Sequence, residues 1–416
     1  MLKTQQSDLT DRGQLTVNVT NNLNIPIQNA TISISYSGIP DNILEQIVTD
    51  RQGFSPSVEL NAPPIELSLD ESNIIQPYAE YSIYVEAPGY EPKDISGIEI
   101  LSDTASMQPV TLNPPTSSLP SDIVIPAHTL YGDYPSKIPE AEIKPVNESG
   151  EIVLSRVVVP ETIVVHDGAP SDSTARNYYV SYTDYIKNVA SSEIYATWPE
   201  STITANILAI MSFTLNRVYT EWYRNKGYDF TITSSTAYDH KWIYGRNIFD
   251  SISRIVDEIF DQYLARPGVK QPILTQYCDG KRVSCPEFMS QWGSKTLGDQ
   301  GYSPIEIIRN YYGSSMYVNT ADQISGIPSS WPGYNLTIGS SGDKVRQMQE
   351  QLNRIAEVYT AIPVIAADGI FGNDTRNAVT EFQNIFGLPK TGIVDFKTWY
   401  KISQIYVGIT RMAELN

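Results

Sequence analysis

The sequence is short of sulfur and of positive charge. Its 416 residues include two cysteines, Cys278 and Cys285, and three histidines, His128, His166 and His240. Two thiols cannot staple a disulfide scaffold, and a chain this long does not need one. A zinc site takes about four such ligands, so the cysteines read as a structural pair, open to a disulfide, with zinc assisted by His240 as the alternative. No metal and no cofactor are expected. Lys and Arg number 29 against 47 Asp and Glu, a formal charge of −18. Binding a phosphate backbone needs basic surface, so nucleic acid is excluded as the expected partner. No run approaches ~18 uninterrupted apolar residues, which predicts no membrane span. The opening "MLKTQQSDLTDRGQ" has no apolar core of the kind a secretory leader carries, so no Sec signal is expected.

What is present divides the chain into segments, and its length suggests two or three domains. From 13 to 113, short runs such as "GQLTVNVT", "NATISISYSG" and "YSIYVEAPGY" alternate apolar and polar residues. Leu15, Val17 and Val19 share one face, as do Ile32, Ile34 and Tyr36, the period of half-buried strands. Turn residues in "DRQG" and "APGY" separate the runs. An N-terminal antiparallel β-sandwich is the expectation.

Residues 114–150 carry Pro114, Pro115, Pro120, Pro126, Pro135, Pro139 and Pro145. Proline fixes φ and removes a donor, so this stretch reads as an extended, exposed linker open to proteases. A second unit, mainly α (α+β), is expected over 151–320, opening with strands in "RVVVPETIVVHDG". Ile207, Ile210, Met211, Thr214 and Val218 fall on one helical face, with Pro199 and Glu200 suited to the first turn. Ile248, Ile252, Ile255 and Ile259 repeat that pattern. "ISGIPSSWPGYN" marks a linker over 321–335. From 336 to 408, Val345, Met348, Leu352 and Ile355 form one helical stripe, and Val379, Phe382 and Phe386 another. Glycine turns bracket both, so a three-helix C-terminal domain is expected. The 27 tyrosines suit sugar stacking and β-rich packing equally. "GSSGDK" lacks the spacing and the ending of a phosphate loop.

The C-terminal features resemble the peptidoglycan-binding type 1 domain. The matching residues are Gly339, Gly342, "DGIFG" at 368–372, Thr375, Ala378, Val379, Phe382, Gln383, "TGIVD" and Thr398-Trp399. Asp368, Thr375, Gln383 and Trp399 read as structural residues near a groove. In the middle unit, "YIKNVASSEIYATWPES" and "MSQWGSKTLGDQGYSPIEIIRNYYG" resemble, in order, two motifs of the stage II sporulation protein D family. The N-terminal pair "VTDRQG" and "VEAPGY" is similar to carboxypeptidase-regulatory or transthyretin-like modules. The whole arrangement resembles the SleC-type spore cortex-lytic enzymes.

The resemblance implies a lytic transglycosylase whose acid is the glutamate of Val-x-x-Glu, here Glu193. One carboxylate suffices for that chemistry, because the group that protonates the glycosidic oxygen then takes the proton of the muramyl C6 hydroxyl. Its pKa must be raised, and Tyr195 and Trp198 are the local candidates for an apolar wall. Ser290 and Gln291 keep their motif and are expected to hold the sugar or orient the acid, or to form turn hydrogen bonds. Where the family has Arg-Thr-Tyr, this chain has Met211, Ser212 and Phe213, so Arg217 is the candidate for the missing cation. The family's Gly-His-Gly-x-Gly run is also absent; "SCPEF" stands there.

The resemblance further implies spore cortex peptidoglycan as partner, and a location in the spore's cortex and coat region, outside the core. It implies a zymogen with residues 13–113 as pro-region, activated by a subtilisin-like germination protease. The cut is expected between Asn113 and Val159, with "SRVVVPE" as a candidate. Two alternatives remain: a hydrolase using Asp184 or Asp239 as second carboxylate, and an inactive wall-binding adaptor.

Overall fold

The computed structural model describes residues 8–22, 24–115, 122–144, 157–321, 323–324, 332 and 334–410. Within the expected cut region, Asn113 to Val159, residues 116–121 and 145–156 lie outside the described residues, as does most of the linker at 321–335.

The alternating N-terminal runs form β1 (Asp11–Asn21), β2 (Thr31–Tyr36), β3 (Ile43–Val48), β4 (Val58–Ala62), the short α1 (Glu66–Leu69), β5 (Ala79–Glu86), β6 (Lys93–Ile100) and β7 (Ala105–Leu112). One sheet has the order β3-β2-β5-β6 and is extended by β8 (Asp122–Val124). The other holds β7-β1-β4. Leu15, Val17 and Val19 of β1 share one core with Ile32 and Ile34 of β2 and Ile83 and Val85 of β5, so the two sheets bury a common face. The pairing is mixed, not purely antiparallel: β1 runs parallel to β7, and β6 parallel to β8. The chain changes sheets after β1, β3, β4, β6 and β7, and β7 meets the edge of β1 opposite β4, running in the same direction as β1.

The middle unit contributes β9 (Val158–Val159), β10 (Thr162–His166), β11 (Asn177–Ser181), α2 (Tyr182–Glu193), α3 (Glu200–Tyr219), β12 (Ile232–Thr233), β13 (Ile248–Phe249), α4 (Asp250–Ile259), β14 (Gln262–Ala265), β15 (Tyr277–Cys278), β16 (Met289–Ser290), α5 (Gln291–Asp299), α6 (Pro304–Tyr312), β17 (Tyr317–Thr320) and β18 (Gln323–Ile324). α3 is buried from Thr202 to Tyr219 on nearly every side, not along one stripe. Two of its polar residues reach neighbouring backbone: Ser212 donates to the carbonyl of Ile273 (2.7 Å) and Asn216 to that of Pro272 (2.7 Å). Ile248, placed in a helical stripe by its spacing, lies in β13, which pairs with β7 and so belongs to the N-terminal sheet.

That shared sheet ties the two units together. Asn247 exchanges hydrogen bonds with the backbone of Glu99, and the buried Arg246 guanidinium sits 2.6 Å from the buried Glu99 carboxylate.

The proline-rich segment departs most from expectation. Pro114 and Pro115 are exposed, but the described stretch 122–144 is not an exposed linker; it is a strap pressed into the middle unit. His128 is wholly buried, and Leu130, Tyr134, Lys137 and Lys144 nearly so. Extended backbone leaves its donors and acceptors free, and a groove of matching groups takes them up. Thr129 N–H donates to the carbonyl of Ser192 (3.1 Å), Ile138 N–H to that of Ala237 (2.9 Å), and Leu274 N–H to the strap's Glu142 carbonyl (2.9 Å). Gln276 and Gln271 bracket Glu140 and Lys144 through further side-chain bonds of 2.8–3.0 Å. The strap starts where Ile125 N–H meets the carbonyl of Ser96 (2.9 Å). Gly97, at φ +81°, permits this: a Cβ there would stand 2.3 Å from the Ile125 carbonyl oxygen.

C-terminally, α7 (Asp343–Ala356), α8 (Asn373–Ile385) and α9 (Phe396–Thr410) enclose Val345, Met348, Leu352, Phe382 and Trp399. Two buried glutamines clamp the loops between the helices in the same way. Gln349 accepts from Gly369 N–H (2.8 Å) and donates to Thr375 (3.0 Å); Gln383 accepts from Gly392 N–H (2.8 Å) and donates to Thr398 (3.1 Å). Thr375, Gln383 and Trp399 are buried, in keeping with structural roles.

Candidate active site

Glu193 ends α2, a helix opened by Ser181, whose hydroxyl accepts from Asp184 N–H (3.2 Å). Its carboxylate has no exposed surface. One oxygen accepts from Lys241 N–H (2.6 Å) and the other from the Tyr277 hydroxyl. Burial pushes its pKa above the ordinary glutamate value. The Lys137 ammonium, the Tyr277 hydroxyl and the Lys241 N–H oppose that rise without cancelling it. The rise is in the direction that a general acid requires.

Tyr277 is fixed in turn. Its ring lies parallel to His240 at 5.8 Å between centroids, and Lys137 stands 5.1 Å over its face. His240 accepts or donates at Nδ1 to the Tyr185 hydroxyl (3.0 Å) and packs on Phe213 at 4.5 Å. Burial, aided by the Lys137 and Arg217 charges, holds its pKa well below the usual histidine range, so the ring is neutral.

The residues expected at the site fall in three places. Gln291 is buried and donates to the backbone carbonyl of Glu193 (3.2 Å), so it bears on the acid through the main chain. Ser290 caps α5, accepting from Gly293 N–H (2.9 Å), the turn role. Tyr195 and Trp198 join Trp292 in an aromatic cluster. Tyr195 stacks on the strap's His128 at 4.5 Å, while Trp198 donates to the Ser68 carbonyl of the N-terminal unit (3.0 Å). Arg217 lies in buried α3; its Nε donates to Asp239 (2.8 Å), and Nη1 and Nη2 to Glu140 (2.9 and 2.6 Å).

Neither alternative second carboxylate is placed for water activation beside Glu193. Asp184 is exposed at the far end of α2, about 13 Å along the helix. Asp239 is buried and occupied by Arg217, Tyr223 (2.6 Å) and both the N–H and hydroxyl of Thr233 (2.9 and 2.7 Å). Met211 and Phe213 are core residues.

Sequence reasoning missed Tyr277, Lys241 and Lys137. Tyr277 adjoins Cys278, and the cysteine pair was the available signal: Cys278 and Cys285 form a disulfide with Cα atoms 6.0 Å apart. It closes a loop whose Asp279 accepts from Val283 N–H (3.0 Å) and pairs with Arg282 (2.7 Å). Arg282 in turn grips the strap at the carbonyls of Thr129 (2.9 Å) and Gly132.

Among the described residues no helix is long and apolar enough to cross a membrane. Residues 341–402 match a family model for a peptidoglycan binding domain. A zinc D-Ala-D-Ala carboxypeptidase from Streptomyces albus G is 41% identical over 76 residues, 18% of this chain and 28% of that protein. Among solved structures, the SleB N-terminal domain is 30% identical over 18% of this chain and 93% of that one, at a TM-score of 0.16. Catechol 1,2-dioxygenase from Acinetobacter radioresistens is 13% identical over 30% of this chain and 63% of that one, at a TM-score of 0.18. At those scores neither is a likeness of the whole fold. The likeness to a peptidoglycan-binding domain is confined to this C-terminal unit, and the chain spans about a quarter of the curated relative it matches.

Proposed function

We propose that this chain is a peptidoglycan lytic transglycosylase of the spore cortex, acting during germination, with Glu193 as its acid and then its base. The observation that carries the reading is a fully buried carboxyl whose pKa is raised and whose two oxygens are fixed by Tyr277 and Lys241. Protonated Glu193 gives its proton to the oxygen linking N-acetylmuramic acid to N-acetylglucosamine, and the bond from that oxygen to muramyl C1 breaks. The resulting carboxylate takes the proton of the muramyl C6 hydroxyl as that oxygen bonds to C1, which closes a 1,6-anhydro ring. Glu193 ends protonated again, and no water is consumed. Among the described residues, Asp184 is exposed at the far end of α2 and Asp239 is engaged by Arg217, Tyr223 and Thr233, which favours this route over hydrolysis.

The strap supports a zymogen. It packs over the acid, with Thr129 N–H on the Ser192 carbonyl and Lys137 among the charges acting on Glu193, so a subtilisin-like protease cutting between Lys144 and Val159 would free its C-terminal end. The germination protease and the spore location rest on the resemblance to SleC-type enzymes.

The test uses the full chain on cortex fragments, before and after limited proteolysis within 145–156, with mass spectrometry of the soluble products. Anhydro-muramyl ends that appear on cutting support the reading. Reducing ends would establish a hydrolase. No release, with wall binding retained, would establish an adaptor.

A further inference from the structure

We propose that Arg217 is the receptor for a carboxylate of the substrate, a muramyl peptide, and that Glu140 of the strap occupies that carboxylate's place in the covered form. The inference rests on reading the cleft as one that takes peptidoglycan.

Arg217 has two kinds of partner. Its Nε is committed to Asp239, and that carboxylate is itself held by Tyr223 and Thr233, all residues of the middle unit. Phe213, Trp222 and Tyr223 lie 4.8, 5.1 and 5.6 Å from the guanidinium carbon and fix its plane. The two terminal nitrogens face the other way, onto Glu140, in the parallel two-bond geometry that matches a guanidinium to a carboxylate. Anchor and walls therefore stay with the middle unit, whereas the carboxylate belongs to the strap.

Removing the strap takes Glu140 away together with Lys144, which also pairs with it. An arginine without exposed surface is then left with two donors aimed into the opened groove. Asp239 still pairs with Nε, and Nη2 also donates to the Tyr238 carbonyl (3.3 Å), but the two-bond place is empty, and an incoming carboxylate restores the fork. The position suits a substrate of the neighbouring acid. Asp239 is two residues before Lys241, whose N–H holds Glu193; Glu140 N–H donates to Gln276 (2.9 Å), the residue before Tyr277, which holds the other oxygen. Socket and acid thus share both supporting segments. A muramyl peptide offers such an anion on its peptide; the lactyl carboxyl is tied up in the amide to that peptide and is free only on muramic acid without one.

The first test is carboxylate rescue in the full-length Glu140→Ala protein. Acetate restores the thermal stability lost by the substitution, acetamide and chloride at matched ionic strength do not, and the Arg217→Met/Glu140→Ala protein responds to none of them. Equal responses to acetate and acetamide, or rescue that survives loss of Arg217, would overturn the proposal. If Glu140→Ala does not fold, Glu140→Gln keeps the volume and is read with the same probes by protease resistance of the strap. The second test titrates the chain cut within 145–156, both pieces present, with muramyl peptides as free acids or amides. The free acids compete for the groove about tenfold better or more, the gain of a charge-assisted hydrogen bond; equal potency would refute the receptor. N-acetylmuramate against peptide alone identifies which carboxylate is bound. Neither test reads glycan cleavage, so failure of the transglycosylase reading leaves both results interpretable.

Discussion

Tyr277→Phe isolates the hydrogen bond on the acid while leaving the ring. Its stacking on His240 involves no hydroxyl, so packing is preserved, and what is lost is a donor to a fully buried carboxylate oxygen. A hydrogen bond to a charged group contributes about 1.5–3 kcal/mol, against roughly 1 kcal/mol for a neutral pair. Tyr312→Phe supplies the neutral control, since that hydroxyl donates to the Gln276 carbonyl (2.7 Å). The pH dependence separates the two. Glu193 has a raised pKa in the folded chain, and the Tyr277 bond favours its ionised form. Removing the bond raises the folded pKa further. The added loss of stability therefore grows as pH rises through the wild-type folded value and levels off above that of the variant. Calorimetry at a series of pH values, following the transition of the middle unit, reads it directly. The expected fall for Tyr277→Phe on the alkaline side is about 2 kcal/mol, or roughly 4–8 °C for a unit of this size, shrinking in acid, while Tyr312→Phe stays flat. A loss equal at all pH values would refute the charged hydrogen bond and with it the fixed position of the acid.

Two further outcomes follow from the strap. Lys137→Met removes the ammonium that opposes the rise of the Glu193 pKa, so the carboxyl titrates at still higher pH, read by carbon NMR of labelled glutamate; an unchanged titration would mean that the strap's charge does not reach the acid. Cys278→Ser with Cys285→Ser opens a short loop, which costs about 2 kcal/mol by loop entropy, and slackens the hold of Arg282. Protease nicking at 129–134 is then faster than in the oxidised chain, and an unaltered rate would show that the strap does not depend on that loop.

The N-terminal strands were legible because alternation maps directly onto two faces: Leu15, Val17 and Val19 point into the core as their spacing requires. Sheet order was not, since the changes of sheet after β1, β3, β4, β6 and β7 leave no mark on alternation, and Ile248 matches a helical period while ending in a strand. Gln383 and Trp399 could be read as structural from their motif. Glu193 was found through a motif, and its burial is a finding of the fold. Tyr277 bonds to it from 84 residues away and carries no local pattern among 27 tyrosines. Lys137 was hidden for a different reason. Proline enrichment specifies extended backbone, but whether that backbone lies free or in a groove depends on the partners at 237–282, which composition does not encode.

The most direct measurement compares the cut wild-type chain with cut Glu193→Gln on peptidoglycan, counting 1,6-anhydro-muramyl ends at equal amounts of wall-bound protein. Glutamine keeps the shape, its one carbonyl oxygen can still accept from Lys241 N–H while its amide nitrogen turns to the Tyr277 oxygen, and it has no acidic proton to give. The account predicts ends from the wild type, a loss of at least about a hundredfold in the variant, and undiminished wall binding through residues 341–402. Equal yields of anhydro ends from the two proteins would contradict it.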